Sequence, residues 1–152
     1  TLPSSPKEAE SYFNQRYQLP DGQLRVYGRE EWFAPVASGS NPADAMVICP
    51  CTMGTLAAIA AGLNQKLIER AADVMLKENR PLILVPREMP FSTIHLENML
   101  KLARSGVTIM PANPGFYQHP KTIEDMVDFV VARILDHLKI SHSLIPRWGE
   151  KN

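Results

Sequence analysis

Of 152 residues only two are cysteine, 7% are aromatic, and sixteen basic side chains are cancelled by sixteen acidic ones. Each scarcity closes off a class of protein. Two cysteines separated by one residue cannot frame a disulfide-stapled fold and are badly placed to bridge each other, so a reducing, cytoplasmic compartment is the expectation. A formal net charge of zero leaves no global field to attract nucleic acid or a membrane surface. No apolar run approaches the roughly 18 residues that a membrane span needs, and no secretory signal opens the chain. The chain starts at Thr1-Leu2-Pro3 without methionine, and its first clear buried strand comes only near residue 45. We therefore expect it to be a piece of a longer protein.

What is present is enough for one core. Hydrophobic residues make up 45% of the chain, which supports a single domain over residues 1–152. PKEAESYFNQRY (6–17) reads as a polar surface helix, Pro20-Asp21-Gly22 as a turn, and APVASGSNPAD (34–44) as a loop of small residues. AMVICP (45–50), PLILVP (81–86) and VTIMPA (107–112) are short, continuous apolar runs, as expected of strands covered on both faces. Two helices are expected between Leu56 and Asn79 with a break near Gly62-Leu63-Asn64, and another from Ser92 to Ser105 that stops at Gly106. The last runs from Ile123 to Leu138, with Thr122 and Asp125 spaced as a capping box. Its apolar stripe is Met126, Val127, Val130, Val131, Ile134, Leu135 and Leu138. Strand and helix alternate, so the fold class is α/β with a parallel sheet and right-handed crossovers.

In such sheets ligands lie beyond the carboxyl ends of the strands, where CPCTMGT (49–55), PREMPFS (86–92) and MPANPGFYQHP (110–120) fall. Cys49 and Cys51 lack the second ligand pair of a structural zinc site and the Cys-x-x-Cys spacing of redox dithiols. They read as small residues ending a strand, and no metal is expected. Thr52, Met53, Gly54 and Thr55 open a helix, so hydroxyls and free N–H groups face an anion or a polar ring edge, although threonine is also an ordinary cap. Arg87 and Glu88 leave a buried strand between two prolines. They are either a surface ion pair or a ligand group, and the position favours the ligand, because a guanidinium fork suits phosphate. Arg133 flanks the last stripe, as a solvated residue or one reaching inward. Arg70, Asp73 and Lys77 share one helix face, which by spacing alone is an ion-pair ladder. Glu124-Asp125-Met126-Val127-Asp128 looks superficially like an acidic magnesium motif, but it stands in a first helical turn and reads as capping.

LIERAADVMLKENRPL, VPREMPFS and PGFYQHP, in that order, carry a resemblance to the UbiX-type flavin prenyltransferases that is collinear from about residue 24 to Pro146-Arg147-Trp148-Gly149. The resemblance implies a Rossmann-like or flavodoxin-like three-layer sheet with helices on both faces, assembled as a homo-oligomer, a dodecamer, with active sites between subunits. It implies a metal-independent transferase that joins the dimethylallyl group of dimethylallyl monophosphate to reduced FMN at N5 and C6. The product would serve a UbiD-type decarboxylase, in a setting such as ubiquinone biosynthesis. Carried over by position, Thr52 to Thr55 and Arg87 would contact FMN. Lys77, Tyr117 and Arg133 would grip the substrate phosphate, Lys77 from a neighbouring subunit. Glu88 would orient the clamp or handle a proton, and Arg70 matches a further active-site position. Trp32, Trp148, Ser38 and Gly39 would line the prenyl pocket. The family's first strand and its Gly-rich phosphate turn, with an active-site Ser and a nearby Glu, would precede Thr1. Two other readings stay open: an FMN-dependent decarboxylase of the related cysteine-decarboxylase group, whose downstream Cys has no counterpart after Cys51, and a truncated subunit that assembles without catalysis.

Overall fold

A computed structural model describes residues 3–146. In chain order it contains α1 (Pro6–Tyr17), a 3-10 turn (Pro35–Ala37), β1 (Met46–Cys51), α2 (Met53–Ala60), α3 (Leu67–Lys77), β2 (Leu82–Pro86), α4 (Thr93–Arg104), β3 (Thr108–Ile109), a 3-10 turn (Phe116–Gln118) and α5 (Ile123–His137). The three strands form one parallel sheet in the order β1-β2-β3. The α/β class expected from the alternating pattern is what the chain adopts.

The central strand explains the layering. All five residues of β2 are buried, and alternate side chains of a strand point to opposite faces. Leu82 and Leu84 enter a cluster with Leu56 of α2, Met75 of α3 and Leu102 of α4. Ile83 and Val85 enter a second cluster with Ile134 of α5, against which Val130 and Leu138 pack. Three helices therefore cover one face and α5 covers the other.

Local chemistry sets the ends of these elements. Ser92 Oγ accepts from the His95 N–H while His95 Nδ1 accepts from the Ser92 N–H, both at 3.2 Å, closing a capping box on α4. On α5 the same role falls to Thr122 and Asp125. Asp125 Oδ2 accepts from the N–H groups of Lys121 at 2.7 Å and Thr122 at 3.0 Å, which hold its carboxyl below the usual range. The acidic run 124–128 begins as a cap, as its place in the first turn indicates. Glu69, buried in α3, accepts from the Gln65 N–H at 2.8 Å. The turn at Pro20 closes through Gln23 N–H to Pro20 O, with Gly22 at φ +79° where a side chain would be strained.

Two expectations need correction. The run 107–112 is a strand only at Thr108–Ile109, although Met110 and Ala112 still donate to Leu84 O and Pro86 O; Pro111 between them has no N–H to offer the ladder. The stripe on α5 is also narrower than its apolar residues. Val127 and Val131 are 52% and 36% exposed, beside Ile123 at 77%; from α5 the cluster on this face of the sheet takes only Val130, Ile134 and Leu138. Leu84→Ala should accordingly cost about 2–5 kcal/mol in urea unfolding, and Val127→Ala no more than about 0.5 kcal/mol. Equal losses would contradict this packing.

Candidate active site

Within one chain the candidate residues fall into separate groups around the carboxyl ends of the strands and the outer face of α3. At the end of β1, Thr52 is the N-cap of α2. Its Oγ1 accepts from the Thr55 N–H at 3.1 Å and donates to Thr55 Oγ1 at 3.0 Å. Met53 is buried, Gly54 is exposed, and Thr52 and Thr55 look onto a cavity of about 1080 Å³ that also touches Met46, Val47, Lys66 and Leu67. The cap keeps two hydroxyls and the first turn of a helix together at the rim of a large, mainly apolar space, a combination suited to the polar edge of a ring or to an anion.

The cysteines just before this turn differ from each other. Cys49 is exposed and Cys51 is 1% exposed in the main core. Burial raises the Cys51 thiol to about 11, so it stays protonated and inert. The strand-end reading fits this environment.

On the outer face of α3, Arg70 ties helix to loop. Its Nε donates to Ala37 O at 2.9 Å and its Nη1 pairs with Asp73 at 3.0 Å. That anchor brings Ser38 and Gly39 beside Lys77, which pairs with Glu78. A Cβ at Gly39 would meet the Lys77 Nζ and Glu78 Oε1 ends of those side chains, so the loop runs close against the pair. Arg70, Lys77, Ser38 and Gly39 are thus one neighbourhood. The spacing ladder exists only in part, since Arg70 pairs with Asp73 while Lys77 turns to Glu78. Trp32 stands in the preceding loop, 43% exposed.

Arg87 and Glu88 leave the buried end of β2 and are exposed; Glu88 Oε1 accepts from the Met89 N–H at 3.3 Å. Beyond β3, Gly115 lets Tyr117 and Phe129 close over the backbone. The two rings meet edge to face at 6.0 Å, and a Cβ on Gly115 would lie 2.5 Å from Tyr117. Tyr117 and Arg133 line a shared cavity of about 660 Å³ with Gln118, Phe129, Asp136 and His142. Arg133 also borders the space at Met110 and Asn113. A phenol and a guanidinium from segments sixteen residues apart converge here, which their types alone did not reveal. Asp136, which pairs with Arg133 at 2.6 Å, was missed, although an acid three residues after a helical arginine is a readable signal. Trp148 lies outside the described residues.

An open parallel α/β sheet with hydroxyl, phenol and guanidinium groups on its carboxyl-end loops defines a protein that binds a nucleotide-like ligand. The model of the Flavoprotein family matches residues 8–135. The chain is 57% identical to "Flavin prenyltransferase UbiX" of Pseudomonas aeruginosa over 99% of its own length and 72% of that protein's. It is 56% identical to the same-named protein of Halalkalibacterium halodurans, over 86% of this chain and 64% of the relative. Among solved structures it resembles AnUbiX (PadA1) in complex with FMN and dimethylallyl pyrophosphate, at 42% identity and TM-score 0.82 over 96% of this chain and 80% of that one. It also resembles a dodecameric FMN-dependent UbiX-like decarboxylase from Escherichia coli O157:H7, at 44% identity and TM-score 0.81 over 95% and 80%. The chain belongs to the Flavoprotein family, among its UbiX flavin prenyltransferases.

The contrast between the thiols can be read directly. With Cys49→Ser in place, Cys51 should resist a disulfide reagent at pH 8 in the folded protein and react fully in denaturant. Rapid native labelling would contradict its burial.

Proposed function

We propose that this chain transfers the dimethylallyl group of dimethylallyl monophosphate to reduced FMN, forming bonds at N5 and C6, and that the product passes to a UbiD-type decarboxylase. The observation that carries the reading is the convergence of Arg133 and Tyr117 on one cavity beside Phe129. A protein 42% identical has been solved in complex with FMN and dimethylallyl pyrophosphate.

Rupture of an allylic C–O bond leaves positive charge on the prenyl group and negative charge on phosphate. One charged hydrogen bond contributes about 1.5–3 kcal/mol, so a single arginine falls short of what the reaction needs. Several donors fixed in a water-poor site stabilise the leaving anion together, with no metal required. In this reading Arg133 and Tyr117 hold the phosphate, and Arg87 lies between phosphate and flavin. Lys77 joins from a neighbouring subunit, with Arg70 fixing the loop at Ser38 and Gly39 beside it. A dodecameric relative makes such shared sites reasonable. Glu88 orients the clamp or takes a proton. Trp32 and Trp148 complete an apolar wall, where aromatic faces stabilise the allylic cation and exclude the water that would trap it as an alcohol.

The Thr52–Thr55 turn fits the polar edge of FMN: its two hydroxyls are adjacent and it borders a large cavity. Reduced flavin, when bound, supplies the nucleophile. The residues of this chain bind it, place it and keep water away. In this reading residues 1–152 belong to a single flavoprotein domain.

Incubated anaerobically with reduced FMN and dimethylallyl monophosphate, the protein should yield FMN heavier by one dimethylallyl unit. Unchanged FMN from assembled, flavin-bound protein would reject the activity, and carbon dioxide released from a cysteinyl substrate would favour the decarboxylase reading instead. A parallel reaction with the pyrophosphate tests which ester is used. Arg133→Ala should lower kcat/KM by about 10- to 150-fold, the equivalent of one charged hydrogen bond. Arg133→Lys should recover only part of that, because a point charge replaces a fork.

A further inference from the structure

Past His137 the chain reverses direction. Lys139 takes a left-handed φ of +58°, and the N–H groups of Lys139 and Ile140 donate back to Asp136 O and Leu135 O, satisfying carbonyls at the end of α5. The segment that follows runs back along the helix, and His142 meets the same carboxylate that Arg133 meets. Arg133 Nη1 donates to Asp136 Oδ2 at 2.6 Å, and His142 Nε2 lies 3.1 Å from Asp136 Oδ1. His142 Nδ1 accepts from the Leu144 N–H at 3.3 Å. With that nitrogen an acceptor, the neutral ring carries its proton on Nε2 and donates it to Asp136. The His142 side chain is 12% exposed, against 49% for Arg133, so the inner end of the chain of bonds is the more sheltered.

We propose that Asp136 and His142 are positioning residues, which hold the Arg133 guanidinium at the cavity shared with Tyr117 and fasten residues 142–146 as its wall. This rests on the reading of Arg133 as a ligand of the substrate phosphate. The bond to Asp136 occupies one of five N–H donors of the guanidinium, and the rest of the fork remains for the anion. A flexible arginine must otherwise be ordered when the phosphate arrives, and pre-ordering it reduces that loss on binding. Bonds from His142 and Arg133 keep the Asp136 carboxyl below its ordinary range, so the anchor stays ionised. Ile145 and Pro146, which line the same cavity, owe their place to the latch at His142, three and four residues upstream.

The test is calorimetric titration of dimethylallyl monophosphate into the assembled protein loaded with oxidised FMN, where binding is read without turnover. Asp136→Asn and His142→Phe should each weaken the ester's Kd by about tenfold, with the Kd for FMN changed less than twofold. His142→Gln, whose amide reaches the Nε2 position, should restore most of the affinity. On an Arg133→Ala background, Asp136→Asn should add nothing further. Unchanged ester affinity in both variants would overturn the proposal, as would equal weakening of ester and FMN, or full additivity with Arg133→Ala. A parent protein that binds the ester but forms no prenylated flavin would instead reject the proposed function and leave this measurement meaningful.

Discussion

Parallel pairing of β1 and β3 on the two sides of β2 is the constraint on which the rest depends. Because the strands run the same way, their carboxyl ends lie along one edge, and the loops Thr52–Thr55, Arg87–Ser92 and Met110–Pro120 emerge together. The pairing is held by burial: β2 gives alternate side chains to the cluster under α2, α3 and α4 and to the cluster under α5. No polar side chain interrupts Leu82–Pro86. The strand is therefore a rigid axis, and the loops beyond it carry chemistry without having to supply stability.

Helix ends do a second job in this arrangement. The Thr52 cap, the Ser92–His95 box and the Thr122–Asp125 box each satisfy backbone donors that would otherwise need partners. Each also fixes how a loop from the sheet edge joins its helix. Arg70 extends the logic over a longer range: by bonding Ala37 O, it holds a loop 33 residues earlier in the chain against α3. The backbone passes close to side chains at Gly39, beside Lys77, and at Gly115, under Tyr117. In the proposed function these are the points at which a backbone has to come near a charged or aromatic group.

Much of the fold was legible because its signals are local. Continuous apolar runs marked β1 and β2, the Thr122/Asp125 spacing marked the start of α5, and Gly106 marked the end of α4. The shortness of β3 was less legible, since Pro111 interrupts a ladder whose apolar pattern continues to Ala112. The exposure of Val127 and Val131 was hidden for a different reason: a helix stripe counts apolar residues, but the width of the partner surface decides how many are covered. Of the site, the loops and the resemblance pointed to Thr52, Arg87, Tyr117 and Arg133. What could not be read was tertiary: the return of the chain after Lys139 that sets His142 on Asp136.

The central claim is spatial, that the phosphate of an allylic ester is gripped by donors from separated segments beside the flavin. A crystal structure of the assembled protein with oxidised FMN and dimethylallyl phosphonate, which has no labile C–O bond to break, tests it most directly. The account predicts phosphonate oxygens within hydrogen-bond distance of Arg133 and Tyr117, with Lys77 of another subunit completing the clamp. A phosphonate bound elsewhere, with Arg133 and Tyr117 both turned away from it, would contradict the account.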